Sequence, residues 1–552
     1  MRKILYNSFF FCAVILIISY SGQVNSALAQ DKTDKNIPRL QKQGSATQLI
    51  VDGKPFLMLA GELGNSSTSN FAYMRPLWPK LAKMNLNTVL VPVYWEMVEP
   101  VEDKFDFSLV DTMIKDSKKN NLHLVLLWFG SWKNSTSCYT PAWLKINSQR
   151  FFRAQDKAGH SLEILTPFSE ENRDADCKTF AALMKHIKQT DKTHQVIMVQ
   201  VENEIGMLPD ARDHSQLADA YYAKAVPKEL IDYLQKNKDK LLPETSKAWE
   251  SKSLKTTSTW EEVLGKSVAT DELFMAWYFA IYTNKVAEAG KAEYPIPMYV
   301  NAALNKPGSK PGEYPSAGPL PHLLDIWRAA ALSIDIFSPD IYQANFQQWC
   351  QKYQKIGNPV FVPEIAKGEQ NAAQVFYVFG QHDAMGFSPF SIETTDNPDK
   401  EPLAKSYNML SQLSPLILEK QGKGDIYGSA VDKDNPVQNI KAGNYLLHVS
   451  HEYTLGLSPK AKEETWPLSG CIIIATGTDE FIVAGTGVAI TFEPNSPGDP
   501  IAGIVSVDEG SFVNGKWVAG RRLNGDQDNQ GRNLRIPVGD WGIQKVKLYR
   551  FK

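Results

Sequence analysis

Val196-Ile-Met-Val-Gln-Val-Glu-Asn-Glu204 is an apolar, β-branched run that ends in two carboxylates around an asparagine. A run of that length and composition suits a strand buried on both faces of a parallel sheet. Seven further runs resemble it: Phe56 to Gly64, Asn87 to Trp95, His123 to Phe129, Pro297 to Leu304, Ile336 to Tyr342, Pro359 to Ile365 and Gly386 to Ile392. Between them lie stretches with apolar residues at helical spacing, including Leu77 to Met84, Leu109 to Lys118, Thr179 to Ile187 and Pro321 to Leu332. The alternation predicts an α/β fold, a (β/α)8 TIM barrel over residues 36–420. The stretch 205–295 exceeds one crossover and is helical in character (Leu217 to Ala225, Lys228 to Leu234, Leu273 to Ala289), so it reads as an insertion after the fourth strand that walls one side of a cleft. A last helical stretch runs from Leu403 to Leu418. Residues 424–552 then turn to Gly, Val, Ile and Thr, with turn dipeptides at Asn514-Gly515 and Asn524-Gly525, which predicts a C-terminal all-β sandwich.

The 552-residue chain is 43% hydrophobic and 22% charged, a composition that supports a large core and argues against disorder. Lys and Arg total 59 against 61 Asp and Glu, so there is no basic excess to neutralise a phosphate backbone, and nucleic acid is excluded as a partner. Arg2 and Lys3 precede an apolar run from Phe9 to Ile18, and Ala27-Leu28-Ala29 supplies the small residues of a cleavage site. Residues 1–29 therefore read as a signal peptide, which places the protein outside the cytoplasm, secreted or periplasmic. The run is short of the ~20 residues that span a bilayer, so no transmembrane segment is expected. Cys138, Cys177, Cys350 and Cys471 are too widely spaced for a zinc pattern; one bridge, Cys138 to Cys177, and free buried thiols are both open.

In a parallel barrel the reactive groups sit at the C-terminal strand ends. Those ends carry Glu62, Trp95 with Glu96, Trp128, Asn203 with Glu204, Asn301, Tyr342, Glu364 and Glu393. The rim is thus carboxylates, amides and aromatics. No G-x-S-x-G elbow, H-E-x-x-H pair or Walker loop is present, which argues against serine hydrolase, zinc peptidase and NTPase chemistry; no metal or other cofactor is expected. Two carboxylates facing each other across a barrel mouth can cleave a glycosidic bond, one as proton donor and one as nucleophile. An asparagine beside them suits a sugar 2-hydroxyl, and Trp95, Trp128 and Trp132 are candidates for a sugar-stacking surface or, alternatively, core walls. Tyr342 either packs or hydrogen-bonds the strand-7 carboxylate. Strand alternation puts Glu202 on the same face as Glu204, so the two compete for one role. Asp526-Gln-Asp528-Asn529 lacks the distal Glu of a calcium loop and reads as a hairpin turn. Asn65-Ser-Ser67 and Asn134-Ser-Thr136 match the glycosylation triplet.

At these residues the chain resembles a known group. Asn203-Glu204 with Glu364 is similar to the pattern of retaining (β/α)8 glycoside hydrolases, and Gln200-Val-Glu-Asn-Glu-Ile-Gly206 is similar to the V-E-N-E-Y-G segment of glycoside hydrolase family 35, the β-galactosidases. Ala60-Gly61-Glu62, Leu86-Asn-Thr-Val89, Trp95-Glu-Met-Val-Glu-Pro100 and Pro141-Ala-Trp-Leu144 resemble further segments of that family, so the likeness covers the barrel from about 45 to 395. It implies Glu204 as acid/base, Glu364 as nucleophile, Asn203 as ligand of the 2-hydroxyl and Glu62 as a candidate ligand of galactose hydroxyls; Asn301, at the end of the fifth strand, is a further candidate sugar ligand. The chain departs from the pattern at Glu96, Val98 and Pro92, and its strand-3 loop reads Trp128-Phe-Gly-Ser-Trp132-Lys-Asn134 in place of Cys-Ala-Glu-Trp. These departures fit a bacterial branch with an appended β domain. The expected function is a secreted retaining exo-β-galactosidase acting on plant-type oligosaccharides, with a β-glycosidase of other specificity or a non-catalytic glycan-binding protein as the alternatives.

Overall fold

The computed structural model describes residues 35–354 and 357–552, so the expected signal peptide lies outside the described residues. Residues Asn36–Lys552 form one compact unit. Eight parallel strands close into a barrel in sequence order: β1 (Met58–Glu62), β2 (Thr88–Tyr94), β3 (His123–Lys133), β4 (Val196–Asn203), β5 (Met298–Ala303), β6 (Ile336–Ile341), β7 (Val362–Ile365) and β8 (Gly386–Pro389). Each of the eight expected runs is a barrel strand. The run at His123 continues four residues past its expected end, to Lys133, which carries the strand end into the site.

Alternation along the strands separates two layers. Met58, Leu90, Val125, Leu127, Phe129 and Tyr299 fill the barrel interior, while Leu124, Leu126, Trp128 and Val199 face the surrounding helices. Both layers are apolar, which is why the strands read as continuous hydrophobic runs. A three-stranded antiparallel sheet not foreseen from the sequence (Arg39–Gln43, Ala46–Val51, Lys54–Phe56) places Leu49 and Val51 against the interior residues. The principal outer helices are α1 (Glu170–Thr190) and α2 (Val268–Glu293), started by Ser169 and Ser267, whose side chains accept the N–H of Asn172 and Thr270. Helix α2 ends the insertion that follows β4, and the two helices pack together against β3 and β4.

Residues beyond helix α3 (Pro402–Lys420) build two antiparallel sheets. One has six strands, the other four, and Tyr445, Leu447, Cys471, Ile473, Val483 and Val546 fill the space between them. The expected sandwich is present. Within Cys471-Ile-Ile-Ile474 the side chains alternate: Cys471 and Ile473 face the sandwich core, and Ile472 and Ile474 join the barrel's outer core. The four described cysteines are free, so Cys138 and Cys177 form no bridge. Asp528 accepts the N–H of Gly531 at 3.0 Å, the hairpin-turn reading of that segment.

Barrel and sandwich meet backbone to backbone. Helix α4 (Asn371–His382) crosses strand β9 (Ile426–Val431) at Gly380 and Gly428. A Cβ at Gly380 would lie 2.5 Å from the Tyr427 carbonyl oxygen, and one at Gly428 would lie 2.4 Å from that of Tyr377. Because the obstructing atoms are main chain, neither position can yield. Gly380→Ala is therefore expected to destabilise the protein by about 1–3 kcal/mol, the usual range for overpacking; scanning calorimetry on the full chain checks this, and an unchanged thermal midpoint would show that the crossing is looser than described.

Candidate active site

Seven side chains from six strands converge at the C-terminal mouth. Glu62 ends β1, Lys133 ends β3, Asn203 ends β4 with Glu204 next to it, Asn301 lies in β5, Asp340 in β6 and Glu364 in β7. All seven are buried, none more than 5% exposed. Asp340 and Glu364 are register partners across β6 and β7, so their carboxyls stand side by side. One carboxylate oxygen each from Glu204, Asp340 and Glu364 lie within 4.8 Å of one another.

Hydrogen bonds fix the pair from opposite sides. The Glu204 N–H donates to Asn301 Oδ1 at 2.9 Å, and Asn301 Nδ2 donates to Asp340 Oδ2 at 2.5 Å. Asn134 Nδ2 donates to Glu204 Oε2, and Ser135 N–H donates to the Glu204 carbonyl at 3.1 Å. Lys133 Nζ lies 3.9 Å from Glu204 Oε2. The Tyr342 hydroxyl donates to Glu364 Oε1. Several buried polar atoms have no partner among the described residues: both amide atoms of Asn203, Glu364 Oε2 and Asp340 Oδ1. Buried atoms of this kind are rare unless a ligand uses them.

Four buried carboxyls surround one lysine, so they cannot all be ionised. Burial, then the Glu364 charge, holds Glu62 and Asp340 well above the usual carboxylate range. The same two causes push Glu204 up to about 7. Glu364 is raised by burial, but Lys133 opposes the rise, as do the Tyr342 hydrogen bond and the neighbouring Glu62 carboxyl. Lys133 and the Tyr342 hydroxyl thus favour the charged form of Glu364, while Glu204 is an acid poised near neutrality, the kind of split that acid/base work requires. Glu204, Asp340 and Glu364 could in principle ligate a metal ion. The Lys133 ammonium already supplies a cation there, and protonated carboxyls are poor ligands.

Known proteins resemble parts of this chain. Residues 48–274 match the family described as Glycosyl hydrolases family 35, and residues 403–535 match a domain of unknown function, DUF5597. Over the first segment the chain is similar to glycosyl hydrolase family 35. A β-galactosidase of Xanthomonas manihotis is 31% identical over 202 residues, 35% of this chain and 31% of that protein. Beta-galactosidase 13 of Arabidopsis thaliana is 28% identical over 202 residues, 35% of this chain and 22% of that protein. The chain thus spans about a third or less of the length of these relatives. Among solved structures, the β-galactosidase of Bacillus circulans sp. alkalophilus superposes with a TM-score of 0.46 at 15% identity, covering 66% of this chain and 57% of that one.

Several sequence expectations for this barrel need correction. Trp95, Trp128 and Trp132 are 0% exposed and lie in the outer core, so none forms a sugar-stacking surface. Their indole N–H groups are spent inside the protein, on Glu99, Asp176 and the Leu165 carbonyl. Glu202 does not share the face of Glu204. Its φ of +62° breaks the strand alternation and turns the side chain outward, where Oε2 accepts the Trp132 N–H at 2.8 Å. Glu393 accepts the Gly64 N–H and the Ser67 hydroxyl and so ties a loop. Lys367, three residues after Glu364, donates to the Thr394 hydroxyl and not to that carboxylate. The sequence reading missed Lys133, Asn134 and Asp340. Asp340 carried a usable signal, since it lies two residues before Tyr342 and hence on the same face of β6.

Glu202 and Asp176 form a second buried carboxyl pair, with Ser131 N–H and Oγ bonded to Asp176 at 3.1 and 2.6 Å. Burial first, then Asp176, raises Glu202 well above its ordinary range, so the folded protein holds a proton that the unfolded chain releases. Stability from such a group is complete below the unfolded value and is lost as pH rises towards the folded one. Glu202→Gln replaces the O–H donor with an N–H donor. It should retain turnover and lose less thermal midpoint than the native protein between about pH 5 and 8; equal slopes in a calorimetric pH series would contradict the shared proton.

Proposed function

We propose that this protein is a secreted retaining exo-β-galactosidase that releases terminal β-galactose from plant-type oligosaccharides such as galactosylated xyloglucan or pectic side chains. The observation that carries the reading is the separation of Glu204 and Glu364. Oxygens within 4.8 Å suit the spacing of roughly 5–5.5 Å used for retention and leave no room for a water between them. The names of the two curated relatives support β-galactoside as the substrate. The amino-terminal pattern of Arg2, Lys3, the run Phe9 to Ile18 and Ala27-Leu28-Ala29 supports export. The insertion 205–295 supports a closed pocket, and with it exo action.

Glu364 attacks the anomeric carbon while Glu204 gives its proton to the departing oxygen. The glycosyl-enzyme ester is then hydrolysed, Glu204 now taking the proton from water. The unpartnered Asn203 amide is the group for the 2-hydroxyl, where hydrogen bonding strengthens in the oxocarbenium-like transition state. Glu62 and Asp340, whose protonated forms burial favours, offer a donor as well as acceptors to sugar hydroxyls. A pocket with four carboxyls and one lysine suits a neutral hexose and repels a uronic acid.

A panel of nitrophenyl glycosides tests the substrate: turnover of the β-galactoside supports the reading, and preference for another glycoside or none overturns it. Glu364→Ala should abolish turnover and, with azide, yield the α-galactosyl azide. Glu204→Ala should slow deglycosylation by about 10²–10⁴-fold and yield the β-azide; the same signature from Glu202→Ala would displace Glu204. In the native enzyme kcat/KM should fall as pH rises through about 7, and Glu204→Gln should lose that limb. Lys133 lowers both Glu204 and Glu364. Lys133→Met should therefore move the whole pH–activity profile to higher pH, whereas an unmoved profile would show that the lysine is merely structural.

A further inference from the structure

Two hollows adjoin on the rim of the barrel. The smaller, 280 Å³, is walled by Tyr342 and Gln343 after β6 and by Ile365 and Ala366 at the end of β7. The larger, 580 Å³, reaches Ala430, Asp432, Asn435, Gln438 and Leu468 of the sandwich. Asn345, Phe346, Gln370 and Gln374 line both, so the two form one groove. It begins at the tyrosine whose hydroxyl holds the nucleophile and ends on the C-terminal domain. The larger hollow alone has the size of a small-molecule site, ~300–1,000 Å³.

The lining says what chemistry it takes. It is rich in carboxamides, carries one carboxylate in Asp432, and contains no lysine or arginine. A phosphate or other anion would find no counter-charge there. Carboxamides donate and accept without the desolvation cost of an ion, which matches the hydroxyls of a neutral sugar. Gln374 is 8% exposed and its Oε1 accepts Asn371 Nδ2 at 2.9 Å. Gln438 Oε1 accepts the Ser429 hydroxyl at 2.9 Å. No described residue accepts from the Nε2 of either, so both amides retain a donor. Tyr342 is 49% exposed although its hydroxyl is spent on Glu364, which leaves ring surface for the apolar face of a sugar. Gln347 Nε2 donates to the Ala430 carbonyl at 3.0 Å and pins the first turn of the helix after β6 (Phe346–Gln354) to the sandwich, so the groove has a fixed floor.

We infer that this groove receives the sugar chain from which galactose is cut, so that the C-terminal domain takes part in choosing the substrate. The inference rests on the proposed glycosidase reading and adds to it that the substrate is an oligosaccharide with several neutral units beside the scissile bond. Two variants of the full chain test it: Gln374→Leu removes a donor, and Gln438→Trp obstructs the sandwich end. The quantity read is the ratio of kcat/KM on a xyloglucan oligosaccharide with terminal β-galactose to kcat/KM on nitrophenyl β-galactoside. Each variant should lower that ratio about tenfold, mainly through KM on the oligosaccharide; an unchanged ratio in both overturns the groove. Calorimetric titration of the oligosaccharide into Glu364→Gln, with and without Gln438→Trp, gives an answer independent of turnover. Tenfold weaker binding in the double variant supports the groove, and equal affinity or no binding to either protein rejects it. A native enzyme inert on nitrophenyl β-galactoside would instead sink the proposed activity and leave the groove to the titration.

Discussion

A single ammonium group buried among carboxyls sets the conditions for the rest of the structure. Lys133 is the only lysine or arginine fully buried among the described residues. An unpaired cation there would be costly, and so would four carboxylates without one. The solution is geometric: closure of eight strands brings Glu62, Glu204, Asp340 and Glu364 to one point, where burial and mutual repulsion favour the protonated forms and one positive charge offsets the rest. The lysine reaches that point through a tight turn. Lys133 and Thr136 exchange both backbone hydrogen bonds, with Asn134 and Ser135 left-handed at φ +49° and +68°. The same turn presents Asn134 to the Glu204 carboxyl and Ser135 to its carbonyl. One local feature of the backbone thus positions the cation and the acid together.

Such a turn needs support, because non-glycine residues at positive φ are strained. Glu202 and Glu204 are also left-handed, at φ +62° and +44°. The support comes from behind the barrel wall. Glu202 accepts the Trp132 N–H, Asp176 accepts the Ser131 N–H and hydroxyl, and the Ser131 hydroxyl lies 2.6 Å from that of Tyr282. The buried indoles close the space around them, with Trp132 edge-on to Phe279 and Tyr282 of the long insertion helix. The tryptophans therefore serve the chemistry indirectly, by packing behind the left-handed ends of β3 and β4 and holding them in place.

These layers differ in how far they could be read in advance. The eight strands were legible because a strand buried on both faces must be apolar throughout, and Glu204 and Glu364 were legible because a carboxylate at the end of such a strand has no structural excuse. The tryptophans were ambiguous at the level of position, since a strand-end indole looks the same whether it faces a sugar or a helix. The alternation could have decided it for Trp128: with Val125, Leu127 and Phe129 pointing inward, Trp128 points out. The outward turn of Glu202 was not legible, because alternation assumes regular φ and glutamate gives no warning of the left-handed region. Lys133 and Asn134 were hidden for another reason: their shared partner, Glu204, lies far along the chain, 70 residues from Asn134, and they sit where the chain departs from the family pattern.

The sandwich follows the same logic of double burial. A sheet that covers only its own partner shows polar residues on its outer face, but Cys471-Ile-Ile-Ile474 is apolar at every position because its alternate side chains enter two different cores. Exposed Ile472 and Ile474 would leave an apolar patch in a separated domain, so the second core exists only while the barrel is present. The glycine crossing at Gly380 and Gly428, the Trp541 indole bonded to Ser406 at 3.0 Å and the Gln347 bond to Ala430 hold the same junction from three directions. A domain mounted this way cannot drift relative to the catalytic mouth. Whatever surface it presents beside Tyr342 is therefore held at a constant distance from Glu364, which is what a substrate spanning both would require.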